Sequence, residues 1–145
     1  LDLLICRGIY VDAKKNIFRR EAYFIPKQGD SFLNLDDYKK LIFRGYTPPH
    51  QTTLFNGNSR VLIDQYNDDY DISGDLELFC RITKFYKLSV LNSSINIVTM
   101  STGGISDTKH LLKLKEVIGC YIKYYKFRFI YTLTRRYFNK FKSVL

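Results

Sequence analysis

The sequence predicts an α/β protein: a mixed sheet with flanking helices, ending in a basic helical tail. Three observations carry this. Two β-prone runs stand at the start on either side of a polar turn, helical periodicity extends from Thr108 almost to the end, and the net charge is confined to that last segment. The 145 residues suit one domain, and with 46% hydrophobic and 16% aromatic residues they can bury a core. The chain divides into a body, residues 1–108, and a tail, residues 109–145.

Leu3–Val11 is apolar and reads as a strand. The polar turn at Asp12–Asn16 lets Ile17–Ile25 return beside it as a hairpin, and Pro26–Asp30 is loop. Asn34 is placed to cap a helix over Leu35–Arg44, with Asp36 and Asp37 in its first turn, and Gly45 stops it. Thr47-Pro48-Pro49 forces extended backbone, so Gln51–Phe55 reads as a short strand. Gly57-Asn58-Ser59 signals a turn and a short helix over Arg60–Asp64. After the acidic loop Asn67–Gly74, Asp75–Phe85 reads as a helix with Leu76, Phe79, Cys80 and Ile82 on its inner side and Glu77 in solvent. Lys87–Leu91 and Ile95–Met100 read as two short strands, Ser101–Asp107 as a Gly-rich loop, and the tail as helix with a break around Thr132–Thr134.

Charge and cysteine usage narrow the function classes. Residues 1–108 hold 13 Lys/Arg and 13 Asp/Glu, whereas residues 109–145 hold 10 Lys/Arg and one acid, Glu116. The +9 charge therefore argues for an anionic partner of the tail, not of the body. Cys6, Cys80 and Cys120 are odd in number and widely spaced, which excludes a disulfide framework or a CxxC zinc site and predicts buried thiols. No run approaches the ~20 apolar residues of a membrane-spanning helix.

Three groups are candidates for chemistry: Pro48-Pro49-His50-Gln51, Ser73-Gly74-Asp75-Leu76-Glu77-Leu78 followed by Arg81, and Gly103-Gly104-Ile105-Ser106. Each alone has a structural reading: a histidine bonded to a carbonyl, a helix-capping aspartate, a turn. In this order and spacing they resemble the family 2 glycosyltransferases of the GT-A fold, the bacterial branch that builds capsular, exopolysaccharide and lipopolysaccharide chains. Such enzymes carry a His-Gln pair at the start of a strand, then an Asp-x-Glu-Leu-x-x-Arg segment, then a Gly-Gly-Ile/Val-Ser segment. The resemblance covers roughly residues 1–125 and implies a partial GT-A-type fold.

The resemblance implies that Asp75 is the catalytic base, taking the proton of an acceptor hydroxyl as that hydroxyl attacks the donor's anomeric carbon with inversion. Gly74 would leave space for a sugar, His50 and Gln51 would line the cleft, and Gly103, Gly104 and Ser106 would form a loop near the donor phosphates. Arg81, six residues beyond Asp75, lies off its face and reads as a structural ion-pair partner, for instance of a loop aspartate. Complete members also hold a divalent metal, Mg or Mn, on an Asp-x-Asp in a donor-binding half. The one Asp-x-Asp here, Asp69-Tyr70-Asp71, lies in the acidic loop just before Asp75 and not in such a half, so the metal is expected of a full-length parent and none of this chain alone. The chain opens on Leu1, not Met, in keeping with a donor half encoded upstream or separately.

In the tail, Ile118, Tyr121, Ile122, Tyr125 and Phe129 recur at helical spacing among lysines and arginines. A basic aromatic helix suits the interface of an anionic membrane, which predicts a cytoplasmic protein attached peripherally to the inner membrane face. Two other readings remain: a non-catalytic remnant or partner subunit of the same fold, and a basic module for single-stranded nucleic acid.

Overall fold

The computed structural model describes residues 1–12, 17–26, 29–58, 66–85, 87–101 and 109–142. Strand β1 (Leu3–Asp12) is its axis. The described residues form a five-stranded mixed sheet. On one side, β1 pairs in parallel with β5 (Val90–Ser101) from Leu3↔Val90 to Val11↔Ser101. Its other side is shared by two antiparallel partners: β4 (Thr53–Phe55) along Leu3–Ile5, and β2 (Ile17–Ala22) along Gly8–Asp12. A short β3 (Ser31–Leu33) lies antiparallel on the far side of β5. The sequence thus gives the opening hairpin correctly, while β3 has too few residues to leave a periodic signal.

Helix α1 (Leu35–Phe43) starts as its residues dictate: the Asn34 side chain accepts the Asp37 N–H at 2.9 Å, a cap worth about 1 kcal/mol. Gly45 ends it with φ +81°, and a Cβ there would lie 2.4 Å from the Arg136 backbone nitrogen. Only glycine fits both the left-handed backbone and that close approach.

Helix α2 (Gly74–Ile82) buries Leu76, Phe79, Cys80 and Ile82 as expected, and also Leu78 and Glu77. Glu77 is 1% exposed and not in solvent. Helix α3 (His110–Tyr125) covers that face: Glu77 accepts from Arg81 Nε at 3.2 Å, Lys123 Nζ at 3.4 Å and the Tyr124 hydroxyl at 2.6 Å. Arg81 is a structural ion-pair partner, as its position predicts, but its acid is Glu77 one helical turn back.

Two further expectations are corrected. Of the strand expected at Lys87–Leu91 only Val90 and Leu91 are extended, and they run on through Ile95–Met100 as the single strand β5, bulged opposite Ile5–Gly8. Asn92-Ser93-Ser94 mimics a turn in sequence. In space Asp30 ties the bulge down by accepting from the Ser93 hydroxyl at 3.0 Å and the Ser94 N–H at 2.9 Å, and these bonds hold its carboxyl below its ordinary range. The tail breaks at a 3-10 turn, Lys126–Arg128, and not at Thr132–Thr134. Those threonines sit inside α4 (Phe129–Lys142), where Thr134 returns its hydroxyl to the Ile130 carbonyl at 2.8 Å. The helix predicted over Arg60–Asp64 and most of the Gly-rich loop lie outside the described residues.

Val117, Cys120 and Tyr121 of α3 share one core with Leu3 and Ile5 of β1, Tyr38 and Ile42 of α1, and the buried face of α2. All three cysteines are free and buried. No helix among the described residues is long and apolar enough to cross a membrane.

The break forces Lys126 to φ 51°, ψ −132°, a region that only glycine occupies without strain. Such strain costs on the order of 1–3 kcal/mol. Lys126→Gly is therefore expected to raise the urea unfolding midpoint, by about 1 kcal/mol in stability, and a lower midpoint would show the turn to be relaxed.

Candidate active site: a cationic cleft around Asp75

The site is assembled from short segments held by side chains far away in sequence. The loop before α2 is gripped by Glu116 of α3. Its carboxylate accepts the backbone N–H groups of Asp71 at 3.0 Å, Ile72 at 3.0 Å and Ser73 at 2.7 Å. Glu116 is 8% exposed, so these three bonds are what satisfy a buried charge. Held this way, the loop delivers Ser73 to the N-cap of α2 and Asp75 to its first turn. Asp75 Oδ1 accepts the Leu76 N–H at 2.7 Å, and a carboxylate there complements the helix dipole.

The second segment is the 3-10 turn His50–Thr52, entered through Pro49. The Thr53 hydroxyl donates to the Pro49 carbonyl at 2.8 Å, and the Thr52 hydroxyl lies 2.9 Å from the Cys6 carbonyl on β1. These bonds seat the turn on the sheet. His50 Nε2 hydrogen-bonds the Tyr66 hydroxyl, and the two rings meet edge to face at 5.8 Å.

The third contribution comes from α4. Arg136 directs Nη1 to the Thr47 and Tyr121 hydroxyls, and Asn139 donates to the Arg44 carbonyl at 3.0 Å, docking α4 on the end of α1. Burial opposes the Arg136 charge, while Tyr121 and Asp75 favour it.

These segments enclose an open cleft of about 960 Å³, at the upper end of the ~300–1,000 Å³ typical of ligand sites. It brings together four residues singled out from the sequence, His50, Gln51, Gly74 and Asp75. Gly103, Gly104 and Ser106 lie outside the described residues. Tyr66 bounds the space at Gly74: a Cβ there would meet its ring at 3.3 Å. Burial and the Asp75 charge raise the Tyr66 phenol above its ordinary pKa.

The sequence reading missed the rest of the lining. Arg20, Lys113, Arg136, Lys140 and Lys142 make the cleft cationic. None of the five belongs to a recognisable motif; they converge only because β2, α3 and α4 meet here. Glu116 did carry a signal, as the single acid among residues 109–145. Comparisons with protein-family models, curated proteins and solved structures find no match to the chain.

The lining suits an anion. Glu21, Asp71 and Asp75 also contribute, but Glu21 pairs with Arg7 at 3.1 Å. Among the described residues no three His, Cys, Asp or Glu side chains converge as a metal ion requires. With Arg136 and Lys140 acting electrostatically on Asp75, these residues do not fit a divalent cation. What the arrangement offers is a carboxylate able to take a proton, set against cations able to hold a phosphate-like group.

Glu116→Ala would leave the three loop N–H groups without their acceptor and is expected to cost about 3 kcal/mol, measured by urea unfolding. Glu116→Gln, which keeps one acceptor oxygen, is expected to cost roughly half as much. Lys140 gives a pH signature. Desolvation, then the charges of Arg136, Lys113 and Arg20, push its pKa down to about 7, with Asp75 opposing. Its unfolded-state pKa is near 10.4, so the unfolded chain binds the extra proton between these values and this contribution to stability rises with pH across that window. Because Lys140 stays exposed at the cleft rim, solvent screens much of this effect; Lys140→Met is expected to raise the melting temperature modestly, most at pH 6, and to lose its advantage by about pH 10. A difference that does not change with pH would overturn the assignment.

Proposed function

We propose that the chain is the acceptor-side catalytic portion of an inverting glycosyltransferase with a GT-A-type fold. It would move a sugar from a nucleotide-sugar donor to a saccharide or lipid-linked acceptor in cell-surface polysaccharide synthesis. One observation carries the reading. The carboxylate of Asp75 and the His50–Gln51 turn, far apart in sequence, line one cleft with five cations. That is the pairing of base and anion holder that displacement of a nucleoside diphosphate by a sugar hydroxyl demands.

In this mechanism Asp75 accepts the hydroxyl proton of the acceptor. The freed oxygen forms the new bond to the anomeric carbon, while the bond to the diphosphate oxygen breaks on the opposite face and its electron pair leaves with the diphosphate. Arg20, Lys113 and Arg136 offset the charge that builds on the leaving group. The His50–Tyr66 pair fixes one wall, and Tyr66 sets the shape of the cavity over Gly74. In this reading the donor-binding half and its divalent metal are supplied by another segment, and no step depends on a metal held by the residues described here.

The deciding experiment is transferase activity of the complete protein that contains this chain, with and without Asp75→Asn. Loss of the base is expected to lower kcat by about 10²–10⁴-fold while donor affinity is kept. Unchanged turnover would remove Asp75 from the role and favour a non-catalytic subunit. The 145-residue chain by itself is expected to turn over no nucleotide sugar.

A further inference from the structure

Helix α4 is mounted with its more apolar face outward. Its inner side presents Phe129, Thr132, Leu133, Arg136 and Asn139 to the body, with Thr132 fully buried. Its outer side carries Ile130, Tyr131, Tyr137, Phe138 and Phe141, every one exposed, Ile130 at 62% and Phe141 at 64%. At about 100° per residue these five fall within an arc of roughly 120°. Phe127, in the turn just before the helix, extends the stripe and is 83% exposed. A contiguous exposed aromatic stripe of this kind marks an interaction surface.

The flanks indicate the partner. Lys142 lies over the Phe138 ring at 4.8 Å, Arg135 over the same ring at 5.7 Å, and Lys140 over the Tyr137 ring at 5.7 Å. No acid occurs between residues 117 and 145. At the N-terminal end of the stripe, beside the strained Lys126, is a pocket of about 460 Å³. Four of its residues are cations, Lys39, Lys84, Lys126 and Arg128, and its described lining contains no carboxylate. Its aromatic wall is continuous with the stripe, because Phe43 stacks on Tyr131 at 5.1 Å and carries the Arg128 guanidinium at 5.7 Å.

The geometry points to a membrane-docking face: the α4 stripe and Phe127 enter the interface of an anionic bilayer, and the cationic pocket at the helix break receives a lipid phosphate headgroup. Apolar and aromatic side chains supply the burial, the flanking Lys and Arg reach up to the headgroups, and the positive φ at Lys126 turns Phe127 out of the fold. A nucleic-acid site would need the rings arrayed for stacking along a groove. A convex stripe with cations along its edges suits a flat anionic surface better. The inference stands on this surface alone, independently of the transfer chemistry. One consequence joins the two: Lys140 and Lys142 belong both to the stripe's edge and to the Asp75 cleft, so docking holds the cleft about one helix diameter, ~10 Å, from the stripe's side of the bilayer.

The chain has no tryptophan, so Phe127→Trp gives a single reporter. With the 145-residue chain, the expected result is a blue shift of its emission, and quenching by brominated lipid, on phosphatidylcholine vesicles that contain phosphatidylglycerol. Phosphatidylcholine vesicles alone should bind at least tenfold more weakly. Replacing Ile130 and Phe141 by Ser, both exposed and outside the core, should weaken binding at least tenfold with unchanged circular dichroism. Lys39→Gln and Arg128→Gln should each cost about fivefold at low salt. Equal binding to neutral and anionic vesicles, or no emission shift on either, would overturn the proposal. So would oligonucleotide or self-association binding that the Ile130 and Phe141 replacements abolish while vesicle binding survives.

Discussion

Glu116 is the constraint on which the rest of this structure depends. It is a buried carboxylate whose hydrogen bonds go to three successive backbone N–H groups of the loop before α2. A charge in that position is tolerable only when its lone pairs are filled, and the loop N–H groups are satisfied only when α3 is in place. The loop, the N-terminus of α2 and the docking of α3 therefore form together. Glu77 repeats the device one turn deeper, drawing Arg81, Lys123 and Tyr124 onto one carboxylate and pushing the Tyr124 phenol up from its ordinary pKa by burial and by that bond. Two acids thus join the helix that carries Asp75 to the helix that carries most of the buried tail.

That joint explains why the cleft is cationic. With α3 fixed on α2, the chain must reverse at Lys126, and α4 is led back across the end of α1, where Gly45 alone allows the Arg136 backbone to approach. The approach brings Arg136, Lys140 and Asn139 to the rim of a cleft that already contains Asp75 and His50. The mutual repulsion of Lys140 with Arg136, Lys113 and Arg20 is an electrostatic cost, and an anionic ligand would relieve it. Stability given up at a site in this way is common where binding has to recover it.

The same path leaves the outer face of α4 apolar and uncovered. A helix whose inner side is committed to Thr132, Arg136 and Asn139 cannot also bury its aromatic stripe against the body. The chain thus places an anion-seeking cleft and an aromatic, lysine-edged surface on opposite sides of one helix, and Lys140 and Lys142 join them.

Much of the local structure was legible in the sequence. The opening hairpin, the Asn34 cap, the Gly45 stop, the inner face of α2, the burial of the cysteines and the confinement of charge to the tail follow from short-range rules: alternation, capping, glycine at positive φ, helical spacing. His50, Gln51, Gly74 and Asp75 were also singled out, and they do share a cleft. What only the tertiary structure decided is everything that depends on a partner distant in sequence. Glu77 is buried because α3 covers it, Asn92–Ser94 continues a strand because Asp30 reaches it, and the tail breaks at Lys126 because α4 must cross α1. Arg20, Lys113, Arg136 and Lys140 become a site only when three elements converge. The physical reason is one of range. Backbone preferences act over a few residues and are written into the chain, whereas burial and charge pairing act through space and exist only once the chain has folded.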